Sequence, residues 1–331
     1  VRAVIDANRG EPARATSEAG AIGAVVPDGA TSLAEAAVAR RRGLLGAAAA
    51  LVAAPLAGCS LGDGRNHDGD DAPRAAPIGR PVRVAWVLGS GGPRGFVHVG
   101  VLKGLDELGL APDLIVGSSV GAVVGTLHAS GLPVARIEEL ALALQPPSLV
   151  EVVVGGETRL SAAPLAELLR TTLPQRRLER MPTAMACVAW RRDDRTLVAF
   201  TAGDAGTAVQ ASAAIEGRFA PVRIRGADHV DADWHAPLPV RVARALGARK
   251  VLAVDASARI EGAPAGAERW RDDDLRKRAL IAPDARAADL VLHPDIGYWA
   301  GFSRDYRERV IEAGRRAAHA RADALRALHA A

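Results

Sequence analysis

The sequence predicts an α/β fold, with a mostly parallel central sheet covered by helices on both faces to give three α/β/α layers. Three observations predict it. Short, wholly apolar runs such as Val84-Ala85-Trp86-Val87-Leu88 alternate with segments of helical periodicity. The runs end in glycine and lead directly into those helices. Apolar residues fill 49% of the 331 positions, enough for one large core.

The first strand, Val84 to Leu88, is followed by a helix carrying Val97, Val101, Leu105 and Leu108 on one face and closed by Gly109. Leu114-Ile115-Val116 is a second buried strand, leading through glycine into a helix from Val120 to about Ala129. Later strands are expected at Met185 to Trp190, Thr196 to Phe200 and Val251 to Val254. Helices are expected near Pro164 to Thr172, Ala205 to Ala214 and Pro239 to Leu246. Arg304 to Ala330 reads as one long, charged, alanine-rich helix at the periphery.

Upstream of residue 82 the texture differs. Arg40-Arg41-Arg42, a short apolar run and Leu56-Ala57-Gly58-Cys59 have the layout of a secretory signal. The ending resembles the lipobox of bacterial lipoproteins, which implies diacylation of Cys59 and a membrane-anchored protein in the bacterial cell envelope, facing away from the cytoplasm. The apolar run is shorter than the roughly 20 residues of a spanning helix. This assigns 38–58 to a signal peptide and 59–81, rich in Gly, Asp and Pro, to a flexible tether. Residues 1–37 are expected to be unstructured and upstream of the true start, with Val38 a candidate initiator. The main folded domain then covers 82–331.

Composition excludes several function classes. The net charge of +4 is small for the length, and no basic run is interleaved with aromatics, so nucleic acid is not an expected partner. Cys59 and Cys187 sit in unrelated contexts, outside any Cys/His ligand spacing, so neither a disulfide nor a metal site is expected. Gly89-Ser90-Gly91-Gly92-Pro93-Arg94-Gly95 fails the dinucleotide fingerprint because Arg94 stands where the third glycine belongs, and no Gly-Lys-Ser/Thr follows to make a phosphate loop. What remains is a glycine-rich turn with free amides near a helix start, suited to an oxyanion.

Gly117-Ser118-Ser119-Val120-Gly121 is a G-x-S-x-G between a strand and a helix, the nucleophile-elbow pattern. Gly117 and Gly121 keep the turn free of side chains so that Ser119 projects over the sheet, and the Ser119 amide with the helix start behind it is expected to favour an oxyanion. A third motif, Ala211-Ser212-Ala213-Ala214-Ile215-Glu216-Gly217-Arg218-Phe219-Ala220-Pro221-Val222, leads to His229-Val230-Asp231-Ala232-Asp233.

In this order the three motifs resemble those of patatin-like phospholipases over roughly residues 82–255. The resemblance implies a serine acyl-ester hydrolase of the phospholipase or lysophospholipase type, with no cofactor and an acyl-ester lipid as substrate. It implies Ser119 as nucleophile, Asp231 as base, and Gly91, Gly92 and Arg94 as the oxyanion loop. The chain departs from the family at Asp231-Ala232-Asp233, where Asp-Gly-Gly or Asp-Gly-Ala is usual. Ala232 would be strained if that position needs positive φ, and Asp233 could raise the Asp231 pKa or serve as a second base. Two alternatives follow: a weak or inactive member that binds lipid, and a Ser119/Asp255/His293 triad in the chain order of ordinary α/β hydrolases. His98 and His128 read as packing residues within helices, Cys187 as a buried apolar side chain, and Tyr298, Trp299 and Phe302 as a site cap or a lipid contact.

Overall fold

The computed structural model describes residues 66–153, 158 and 160–330. In chain order it contains β1 (Val84–Leu88), α1 (Phe96–Glu107), β2 (Leu114–Ser118), α2 (Val120–Ala129) and α3 (Val134–Ala143). A small ribbon of β3 (Glu151–Val152) and β4 (Leu160–Ser161) follows, then α4 (Ala163–Thr172), β5 (Ala184–Arg191), β6 (Thr196–Phe200) and α5 (Ala205–Ser212). The chain continues through β7 (Val222–Ile224), β8 (Ala227–Asp231), α6 (Val240–Ala245) and β9 (Lys250–Val254). It ends with α7 (Arg271–Ala287), β10 (Leu290–Leu292), α8 (Arg304–His319) and α9 (Ala322–Ala330).

The main sheet runs β10-β9-β1-β2-β5-β8-β7, with β6 also paired to β5. Strands β10, β9, β1, β2 and β5 are parallel, whereas β6, β7 and β8 join antiparallel. The alternation of side chains along each strand divides the core between two faces. Trp86, Leu88, Ile115, Met185, Cys187 and Leu252 pack with α1, α2, α3 and α8 on one face. Ala85, Val87, Val116, Ala186, Val188 and Ala253 pack with Val240, Val242 and Ile281 of α6 and α7 on the other. These are the three expected layers, and the wholly apolar runs are explained by burial on both sides.

The register places the functional end of the sheet. Strand β6 occupies one edge of β5 from Cys187 to Arg191. Strand β2 takes the opposite edge and ends with Ser118 opposite Val188. Strand β8 takes up that same edge where β2 stops, running the other way, with Asp231 opposite Ala189. Two strands therefore meet nearly head to head on one edge; Asp231 ends β8, and Ser119 directly follows β2.

Two expectations are corrected. Of the tether expected over 59–81, the described part from residue 66 lies against the domain: Arg74 N–H donates to Ala202 O (2.9 Å), Ala76 N–H to Thr201 Oγ1 (2.7 Å), and His67 bridges Ile224 of β7. Composition measures apolar burial against ordering entropy, and these residues are held by backbone hydrogen bonds that composition does not encode. The signal segment 38–58 and Cys59 lie outside the described residues.

The C-terminal segment is two helices, not one, and α8 is not peripheral. Val310, Ile311, Gly314 and Ala318 are buried against α1. The small residues that suggested a solvated helix instead permit close backbone approach: a Cβ on Gly100 would lie 1.7 Å from Ile311 O, and one on Gly314 would lie 2.3 Å from Val97 O. Gly100→Ala is therefore expected to destabilise the domain by about 2 kcal/mol or more in urea unfolding. Gly262→Ala, where an added Cβ meets nothing within 4 Å, should change stability by less than about 0.5 kcal/mol.

Candidate active site

Ser119 stands between β2 and α2 with φ 55° and ψ −124°, a conformation that non-glycine residues rarely adopt. The glycines around it are sterically required. A Cβ at Gly121 would lie 2.0 Å from Leu88 O, and one at Gly117 would lie 2.5 Å from the Ala122 backbone. The elbow is thus wedged between β1 and its own helix, and the surrounding packing holds the strained serine.

The amides around Ser119 divide into used and unused. Ser119 N–H donates to Ser212 Oγ (3.0 Å), whose hydroxyl donates to Val188 O (2.6 Å). The Ser119 amide, expected to face an oxyanion, is therefore engaged by the helix α5 motif. Among the described residues no acceptor meets the N–H groups of Val120 and Gly121 at the start of α2, or those of Gly91 and Gly92 in the glycine-rich loop. That loop is closed by Arg94 N–H donating to Gly91 O (3.2 Å), and Gly92 supplies φ +55°. The Arg94 guanidinium turns to Tyr298 O (2.7 Å) and leaves its Nε buried without a partner.

Support for this loop comes from residues whose role local sequence did not reveal. His98, fully buried in α1, donates from Nε2 to Gly89 O (2.7 Å), and burial lowers its pKa to about 4, so the ring is neutral. Ser90 N–H donates to Pro237 O (2.8 Å) in the segment after β8. The Ser90 hydroxyl donates to Asp233 Oδ1. A serine inside a glycine-rich turn was the one visible signal for this tie.

Asp231, at the end of β8, is 6% exposed. Its Oδ1 accepts from Asp233 N–H (2.8 Å), and its Oδ2 is buried with no hydrogen bond of good geometry. The Ser119 hydroxyl is the side-chain donor that acts on this carboxyl. Burial, then the nearby Asp233 charge, push the Asp231 pKa up to about 7, against the opposing pull of the Ser119 hydroxyl, the Asp233 amide and the Lys277 ammonium.

Asp233 raises the Asp231 pKa, as its position in sequence suggested, but is itself engaged by the Ser90 hydroxyl and by Lys277 Nζ at 2.5 Å from α7. Ala232 is buried and is absent from the positive-φ residues, so the strain expected there does not arise. The histidine alternative is not assembled. His293 Nδ1 lies 3.9 Å from Asp255, its Nε2 lies 3.0 Å from Ser257 O, and among the described residues neither His293 nor Asp255 bonds to Ser119. Cys187 is fully buried, as expected of a small apolar residue, and burial pushes its thiol up to about 12.

Residues 86–244 match the family model described as patatin-like phospholipase. Over that segment the chain is similar to the patatin-like phospholipase family. An uncharacterised NTE family protein of Mycobacterium tuberculosis is 33% identical over 198 residues, which cover 56% of this chain and 51% of the relative. Lysophospholipase NTE1 of Mycosarcoma maydis is 29% identical over 210 residues, covering 58% of this chain and 10% of that one. Patatin-like phospholipase domain-containing protein 6 of Homo sapiens is 27% identical over 199 residues, covering 58% and 14%. The chain thus spans about half the length of the mycobacterial relative and far less of the larger two. Among solved structures, VipD of Legionella pneumophila superposes with a TM-score of 0.44 and 12% identity over 77% of this chain and 70% of that one.

The patatin-like domain makes a stability prediction at Asp231. A carboxyl whose folded pKa is raised holds its proton longer in the folded state than in the unfolded one, so its contribution is fully present below about pH 4 and is lost as pH rises through about 7. Asp231→Asn should therefore leave the melting temperature little changed at pH 4 and raise it at pH 8. The gain corresponds to a few kcal/mol, on the order of 5–10 °C by scanning calorimetry.

Proposed function

We propose that this protein hydrolyses fatty-acyl esters of the lysophospholipid or phospholipid class with Ser119 as nucleophile and Asp231 as base. The observation that carries the reading is the convergence of the strained Ser119 with a buried carboxyl of raised pKa on one edge of β5, beside unpaired amides at Gly91 and Gly92. The names of the relatives support the substrate class.

In the acylation step the Ser119 Oγ bonds to the ester carbonyl carbon while its proton passes to Asp231. The Gly91 and Gly92 N–H groups take the oxyanion, and the positive end of α2, which begins directly after Ser119, favours the same charge. As the tetrahedral centre collapses, the carbon–oxygen bond to the leaving alcohol breaks and Asp231 returns the proton to that alcohol. Water, deprotonated by the same carboxylate, then releases the fatty acid and restores Ser119. Because the base must be ionised, activity should rise with pH through about 7.

An apolar surface beside the oxyanion loop suits a lipid substrate. Trp299 (49% exposed) and Phe302 (46% exposed) follow Tyr298, whose carbonyl holds Arg94; Trp299 packs edge-on against Tyr298, and Phe302 against Phe96. The Cys59 anchor also belongs to this proposal. The described chain begins at Asn66, whose Oδ1 accepts from Gly226 N–H at the β7–β8 turn, on the carboxyl side of the parallel strands. Seven residues reach at most about 25 Å, so a lipid on Cys59 would keep this end of the sheet close to the membrane.

A fluorophosphonate probe should label the protein at Ser119 and fail to label Ser119→Ala. Ser119→Ala and Asp231→Asn should each lower hydrolysis of a lysophospholipid by at least about 10³-fold, while His293→Ala retains activity. A lipid-binding protein without turnover would show no labelling, and the reverse pattern at Asp231 and His293 would indicate a triad. Trp299→Ser should weaken hydrolysis of micellar substrate several-fold and leave a short soluble ester unaffected.

A further inference from the structure

The carboxylate at Asp233 does more than replace a small residue after the aspartate. Its side chain is 25% exposed and lies between two parts of the site. Its Oδ1 accepts from the hydroxyl of Ser90, the residue immediately before Gly91 and Gly92, and from Lys277 Nζ at 2.5 Å, and its backbone N–H donates to Asp231 Oδ1 at 2.8 Å. Lys277 is only 19% exposed and comes from α7, outside the segment matched by the family. We propose that Asp233 and Lys277 form a positioning pair: the carboxylate locks the oxyanion loop to the loop carrying the base, and the ammonium balances its charge so that Asp231 can ionise.

The inference rests on the hydrolase reading. Its physical basis is that two carboxylates two residues apart cannot both be charged at little cost in a buried site unless a cation stands beside them. The groups facing Asp231 are the Ser119 hydroxyl from the elbow, Asp233 from its own loop and Lys277 from α7. Those facing Asp233 are Ser90 from the glycine-rich loop, Lys277 and the Asp231 carboxyl. Removing the lysine leaves like charges opposed, and the proton returns to Asp231. Removing the Asp233 charge leaves the lysine unbalanced, so Asp231 ionises more readily and becomes a weaker base. Neither effect acts on the Ser119 hydroxyl directly, and both residues position rather than react.

The test compares pH profiles of kcat/KM for a lysophospholipid. Lys277→Met should move the acidic limb up by on the order of one pH unit, Asp233→Asn should move it down by a similar amount, and the double variant should return it close to the wild-type position. Ser90→Ala should lower kcat with the limb in place, because it frees the loop without changing the charge. Carbon-13 titration of the Asp231 carboxyl in a Ser119→Ala background reads the same displacements without turnover, so it remains decisive if the protein proves not to be a hydrolase. Equal limbs and equal titrations in all four proteins overturn the pair. Absent fluorophosphonate labelling of the wild type, with the titrations displaced as stated, overturns the hydrolase reading and leaves the charge coupling standing.

Discussion

The structure depends on the sharing of one strand edge. Strand β5 presents a single row of backbone groups to two partners that approach from opposite directions, β2 climbing and β8 descending. Where they meet, the ladder is handed from Val188 to Ala189, so the last residues of both partners are forced together. A serine and an aspartate more than a hundred positions apart become neighbours because neither strand can extend further without displacing the other. No side-chain interaction of comparable precision is needed to bring them within reach.

The remaining features refine that meeting. The elbow glycines let Ser119 sit against β1, and Ser212 fixes its backbone by accepting the Ser119 amide and donating to β5. Burial of Asp231 places its titration near neutrality, where a carboxyl is a far better base than in water. The glycine-rich loop is held by the neutral His98 at Gly89 and by the amide and hydroxyl of Ser90. These supports act on the Gly89 carbonyl, the Ser90 amide and the Ser90 hydroxyl, so the loop is fixed while, among the described residues, the Gly91 and Gly92 N–H groups stay unpaired.

Much of this was readable in the chain. The parallel strands are apolar runs because both faces are buried, and the elbow shows itself because only glycine fits beside the serine. What was not readable has a common cause. Helix α7 is dominated by charge and buries only Ile281 and Asp284, so it carries no apolar stripe, and the partner of its Lys277 lies 44 residues away. The docking of residues 66–81 is made by backbone hydrogen bonds to the ends of β6 and β7, which leave no compositional trace. The tight seam of α1 and α8 appears in sequence as alanine and glycine, which equally suit a solvated helix. One clue was available: in a chain whose basic residues are nearly all arginine, Lys277 is one of a very few lysines.

The boundaries recognised by similarity do not coincide with those of the folded object. The matched segment closes at residue 244, yet β9 is the immediate neighbour of β1, and α8 fills the groove over Gly100. A truncation at that limit would strip one flank of the sheet, open the layer behind Trp86 and Leu88, and take away the only cation paired with Asp233 among the described residues. The matched segment is therefore not a self-contained unit: its solvent exclusion and its charge balance are completed by residues beyond position 244.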